Sequence, residues 1–94
     1  MLTVIATIES KADCIESAKS EMLKMIEPTL KEDGCIDYTL HQDNNNPAVF
    51  IFYETWYSED DLQKHMQTPH MKKFLSATKE LLADFKANKL TVLS

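Results

Sequence analysis

One carboxylate interrupts the most apolar stretch of this chain. Residues 48–57 read Ala-Val-Phe-Ile-Phe-Tyr-Glu-Thr-Trp-Tyr, and Glu54 is the only charge among them. A carboxylate in such a segment must be paired, hydrogen-bonded or protonated, because burying it alone is costly. His65 and His70 follow directly and are its nearest candidate partners. Two readings stand. In one, a carboxylate–histidine pair moves a proton. In the other, a satisfied polar pair locks a short helix onto a sheet. The two rings should differ. His65 falls in the last turn of a helix, where the dipole favours imidazolium. His70 falls just inside the start of the next, where the dipole favours a neutral ring suited to accept a proton. His70 is thus the better base and His65 the better partner for Glu54. A metal site from the two rings is not expected: their i, i+5 spacing crosses a helix break, and no third ligand is evident.

Trp56, the only tryptophan, shares a strand face with Phe50, Phe52 and Glu54. It reads as a core anchor or as the wall of a flat pocket, with Tyr38 and Phe74 as neighbours. Such a pocket, with few polar groups, suits a small aromatic ligand. No serine or cysteine carries a cue for nucleophilic activation. Cys14 and Cys35 are 21 residues apart without a CxxC pair, and read as reduced thiols in a cytoplasmic protein.

The elements that must position these residues follow from periodicity. Leu2–Glu9 is β-branched and uncharged until its end, as in a strand buried on both faces. Ser10 with Asp13 resembles a helix start. Behind it Ile15, Ala18, Met22, Met25 and Ile26 form an amphipathic stripe. Pro28 should kink or restart that helix, which should finish before Gly34, a good C′ residue. Residues 35–42 alternate as a strand. Asp43–Pro47 is a turn, and residues 48–57 return as a hairpin partner. Ser58 with Asp61 caps a short helix to about Met66. Thr68-Pro69 starts another, whose stripe runs Met71, Phe74, Leu75, Thr78, Leu81, Leu82, Phe85. Asn88–Leu93 reads as a closing strand.

The order β-α-β-β-α-β suits an α+β ferredoxin-like sandwich with an antiparallel sheet, both helices on one face. That leaves Ile51, Tyr53, Val4 and Ala6, or their opposite-face neighbours, as an uncovered apolar patch. A second copy, sheet face to sheet face, is the expected remedy. Residues 1–94 read as one domain with one modest core. Ten basic against fifteen acidic residues give a net charge of −5, which argues against nucleic-acid and anionic-membrane partners. The single glycine excludes a glycine-rich phosphate loop. The N-terminus lacks the basic flank of a signal peptide.

Several segments resemble the antibiotic biosynthesis monooxygenase (ABM) family, and its small quinol monooxygenase-like members in particular. They are Met1–Ala6, Pro28–Cys35, Glu54-Thr55-Trp56, and Leu62–Lys72 with its His65-Met66-Gln67-Thr68-Pro69-His70 core. The resemblance implies a dimeric α/β barrel of two ferredoxin-like halves. It also implies oxygenation of a small quinol or phenol by dioxygen, without metal, flavin or haem. His70, Glu54 and His65 would then be catalytic, and Trp56, Phe52, Tyr38 and Phe74 would hold substrate. Haem-degrading members use an Asn, a Trp and a His. Here the first strand has no Asn, and Leu75 stands at the helical His position. A branch acting on a phosphorylated sugar would need a cationic anchor, and this chain has no arginine. The alternatives are a non-catalytic dimeric domain that binds a small molecule, and an isomerase built on the Glu54–histidine pair.

Overall fold

The computed structural model describes residues 1–94. The elements are β1 (Leu2–Ser10), α1 (Ile15–Leu23), α2 (Ile26–Leu30), β2 (Cys35–Gln42), β3 (Val49–Trp56), α3 (Glu59–Met66), α4 (Pro69–Thr78) and β4 (Leu82–Leu90). The four strands form one sheet in the order β2-β3-β1-β4, with every neighbouring pair antiparallel. This is the α+β ferredoxin-like arrangement that the element order implied. No helix is long and apolar enough to cross a membrane.

Strand register decides which face the helices cover. Val4 pairs with Glu54, Ala6 with Phe52 and Ile8 with Phe50. Side chains alternate along a strand, so these six share one face. All are buried, and α1 adds Ala18 and Met22 to the same core. On the other face Ile5 pairs with Tyr53 and Thr7 with Ile51. The uncovered patch therefore holds Ile5, Ile51 and Tyr53. Val4 and Ala6, which stood among its candidates, lie under the helices instead.

Local chemistry sets the element ends, and it corrects four expectations. Ser10 ends β1 instead of capping a helix: its N–H donates to the Ala48 carbonyl at 2.8 Å, and its hydroxyl is buried without a partner. The break before α2 falls at Lys24–Met25, one turn ahead of Pro28. Lys24 is the residue whose carbonyl a Pro28 N–H would have met. Gly34 has no positive φ, so it is not a left-handed terminator. Its missing Cβ leaves room for the Asp61 side chain of α3, which a methyl group there would strike. Finally, α4 stops at Thr78, whose hydroxyl donates to the Phe74 carbonyl at 2.8 Å. Leu82 and Phe85 continue the helical stripe only in sequence; they belong to β4, which pairs with β1 over its length. A free β1 edge would leave a row of unpaired N–H and C=O groups, so the ladder outweighs the helical spacing.

The remaining caps form as read. Ser58 Oγ accepts from Asp61 N at 3.2 Å, and Thr68 Oγ1 accepts from Met71 N at 3.2 Å with Pro69 following. The hairpin turn is closed by Asp43 Oδ1, which accepts from Asn45 N at 2.7 Å and Asn46 N at 3.1 Å. These caps aim the ends of α3 and α4 at each other, and that placement builds the site.

Candidate active site

The short helices α3 and α4 leave room between themselves and the sheet. The space is a cavity of about 590 Å³, within the ~300–1,000 Å³ range of small-molecule sites. Val4, Ala6 and Ile8 form its floor, Tyr38 and Phe52 one wall, and Met71 and Phe74 of α4 its roof. Phe85 of β4 lines it and is 53% exposed. Glu54 and His65 are polar groups lining this largely apolar, partly open cavity. Tyr38, Phe52 and Phe74 thus stand where an aromatic guest would touch them. Trp56 does not. It is fully buried, one layer behind the wall.

From that layer Trp56 holds the polar groups. Its indole Nε1–H donates to Glu54 Oε1 at 2.9 Å. Its ring lies 4.7 Å, centroid to centroid, from that of His65. Tyr38 stacks on Phe52 at 5.0 Å and meets His65 edge-on at 5.7 Å. Glu54 is 5% exposed. Burial pushes its carboxyl up to about 7; the Trp56 hydrogen bond pulls the other way, and the charge of Glu32 adds to the rise. At neutral pH the group is therefore poised between acid and base.

The expected Glu54–histidine pair does not form. Both rings turn to Glu32 instead, a residue of the α2–β2 connection. His65 Nδ1 and His70 Nε2 each lie 2.7 Å from the same oxygen, Glu32 Oε2. A carboxylate only accepts, so both rings donate there; in a neutral ring with that proton, His65 Nε2 or His70 Nδ1 is the remaining acceptor. His65 is 1% exposed. Burial lowers its pKa below the ordinary histidine value, against the opposing hydrogen bond and charge of Glu32. The helix dipole had suggested a charged His65, but desolvation outweighs it. His70 does not line the main cavity. It faces a smaller depression with Glu21, Lys24 and Met25.

Sequence reasoning missed Glu32. It lies in Lys31-Glu32-Asp33, a charge run that reads as solvated surface, 33 residues before His65. Its presence also overturns the expectation that no third metal-ligating group stands near the two rings: one ligand atom from each of Glu32, His65 and His70 falls within 4.8 Å of the others. Neither cysteine is in a disulfide, and both thiols are raised, that of Cys35 by burial to about 11, so neither offers a ready nucleophile.

The model of the antibiotic biosynthesis monooxygenase family matches residues 1–77. The chain belongs to this family. It is 33% identical over 82 residues to an uncharacterized protein of Synechocystis, covering 87% of this chain and 56% of that one. It therefore spans little more than half of that relative. It is also 33% identical over 89 residues to YgiN of Escherichia coli, named a probable quinol monooxygenase, covering 84% of this chain and 86% of that one. Among solved structures, PA3566 from Pseudomonas aeruginosa superposes with a TM-score of 0.96 at 32% identity, over 99% of this chain and 94% of that chain.

The buried acid and ring of this ABM site have opposite pH signatures. Glu54 is raised from 4.5 to about 7, so its contribution is greatest below the unfolded value and is lost as pH rises toward 7. That loss is roughly 3 kcal/mol. His65 is lowered from 6.5, so its contribution is full above 6.5 and is lost as pH falls through the folded value. Urea unfolding of wild type and Glu54→Gln across pH 5–8 separates the two. The variant should gain stability relative to wild type as pH rises. Parallel curves would show that Glu54 is not held protonated by the fold.

Proposed function

We propose that this chain is a monooxygenase that oxidises a small hydroquinone-type aromatic with dioxygen and needs no metal or organic cofactor for that chemistry. One observation carries the reading: Glu54 faces an apolar cavity while held by Trp56 and raised to about 7. The name of YgiN supports the substrate class. Tyr38, Phe52 and Phe74 hold the ring, and Glu54 takes the hydroxyl proton. A general base works best with a pKa near the working pH. The resulting phenolate is electron-rich enough to reduce dioxygen itself. The ring loses two electrons in becoming a quinone and two more in gaining an oxygen atom; the second oxygen leaves as water. The protein's part is to orient the ring, accept the proton and exclude bulk water.

The base role passes from His70 to Glu54 in this reading, because His70 lies off the cavity. His65 lines it and is held through Glu32, so it orients the hydroxyl next to Glu54. The isomerase alternative loses the Glu54–histidine pair on which it was built. Turnover in the oxygen-uptake assay is what separates this reading from the non-catalytic binding alternative.

Oxygen uptake with a panel of hydroquinones at substoichiometric enzyme tests the proposal. Wild-type kcat/KM should fall as pH drops below about 7, because the base must be ionised to accept a proton. Glu54→Gln should remove that limb and lower the rate by about 10²-fold or more. Uptake that is absent across the panel, or unchanged in the variant, would contradict it.

A second copy is the proposed partner at the open sheet face, as in the dimeric barrel. Ile5, Ile51 and Tyr53 support it, since the helices cover only the opposite face, and Tyr53 is 40% exposed. Light scattering at micromolar concentration should give twice the chain mass of 10.8 kDa. A mass of one chain would rule the dimer out.

A further inference from the structure

Glu32 clamps two helix ends together, and the geometry around it supports more. Three side chains from separate elements bring donor atoms together. Glu32 comes from the α2–β2 connection, His65 from the last turn of α3 and His70 from the first turn of α4. Both ring nitrogens point at one carboxylate oxygen, each 2.7 Å away. The three donor atoms lie within 4.8 Å of one another. Tetrahedral coordination with bonds of about 2.0–2.1 Å places donors about 3.3 Å apart. Admitting an ion therefore requires each hydrogen bond to open by about half an ångström, and the more exposed His70 ring to settle at the same spacing from His65. Glu32 stands on a connection rather than inside a regular element, so it can supply that movement. The His65 ring is fixed against Trp56 at 4.7 Å and need not move.

We propose that Glu32, His65 and His70 form a binding site for one divalent first-row transition ion of the zinc, cobalt or nickel class. Two imidazoles and one carboxylate suit these borderline ions and not magnesium or calcium, which take oxygen ligands. On binding, each ring gives its lone pair from the nitrogen that now faces Glu32. The proton held there moves to the other ring nitrogen. Three protein ligands leave a coordination position for water. His70 is the entry point: its side chain is 21% exposed and lines the smaller depression, whereas His65 is sealed. The Lys24 ammonium at that depression is paired with Glu21 at 2.9 Å, which offsets its repulsion of an incoming cation. The site shares Glu32 and His65 with the oxygenation reading, but its test stands apart, because binding is measured without substrate.

The test is titration of chelator-stripped, tag-free protein with Co²⁺, followed by calorimetry and by visible absorption. The expected result is one equivalent per chain, bound with a Kd of about 1 μM or tighter, with d–d bands of a low-coordinate site. Zn²⁺ should displace it, and Mg²⁺ and Ca²⁺ should not. Glu32→Ala and His70→Ala should each weaken binding by about 100-fold or more, while His41→Ala, at the exposed histidine of β2, should leave it unchanged. Circular dichroism confirms that each variant is folded, and Glu32→Gln provides a milder substitution at the same place. Binding only at millimolar Co²⁺ would overturn the proposal, as would binding that survives both alanine variants. Either result would leave the three residues as a hydrogen-bonded clamp.

Discussion

A single carboxylate oxygen, Glu32 Oε2, ties together the parts of this molecule that make its site. It accepts from two imidazoles at 2.7 Å, one at the end of α3 and one at the start of α4. A ring as buried as His65 cannot leave its Nδ1–H unpaired without losing the desolvation energy of that group. The pairing brings the α2–β2 connection under both helix ends. Gly34 lets the same connection pass close to α3, because no Cβ competes with Asp61. With the helix ends held there, the bodies of α3 and α4 stand off the sheet far enough to leave a cavity.

The two acids of the site, buried Glu54 and half-buried Glu32, then divide the work. Glu32 has two donors and serves to position. Glu54 has one, the Trp56 indole, and its carboxyl is raised by burial to about 7. A fully satisfied acid would stay ionised and inert. A lone one in an apolar cavity would stay protonated. One hydrogen bond places Glu54 between these limits, where a group is able to take and return a proton near neutral pH. Trp56 contributes to this without touching the cavity, through its N–H to Glu54 and its ring against His65.

The fold was largely legible in the sequence because alternation, caps and turn residues agreed with one another. The hairpin through Asp43–Pro47 and the starts at Ser58 and Thr68 formed as their local chemistry required. The misreadings came where tertiary pairing outweighed local pattern. Leu82 and Phe85 fit a helical stripe, yet the free edge of β1 claimed them for β4. Ser10 looked like a cap and became the end of a strand. At the site, residue types were readable but partners were not. Glu54 and the two histidines stood out by burial and spacing, while Glu32 lay in a charge run with no local mark. Only the fold shows that it stands beneath two rings more than thirty residues away.

The central claim is that a hydroquinone sits in the cavity with a hydroxyl against Glu54. An anaerobic crystal structure of the protein with a bound hydroquinone tests it most directly. The account predicts the ring between Tyr38, Phe52 and Phe74, with one hydroxyl oxygen about 2.6–3.2 Å from the Glu54 carboxylate. A ring bound outside this cavity, or one whose hydroxyls both face away from Glu54, would contradict it.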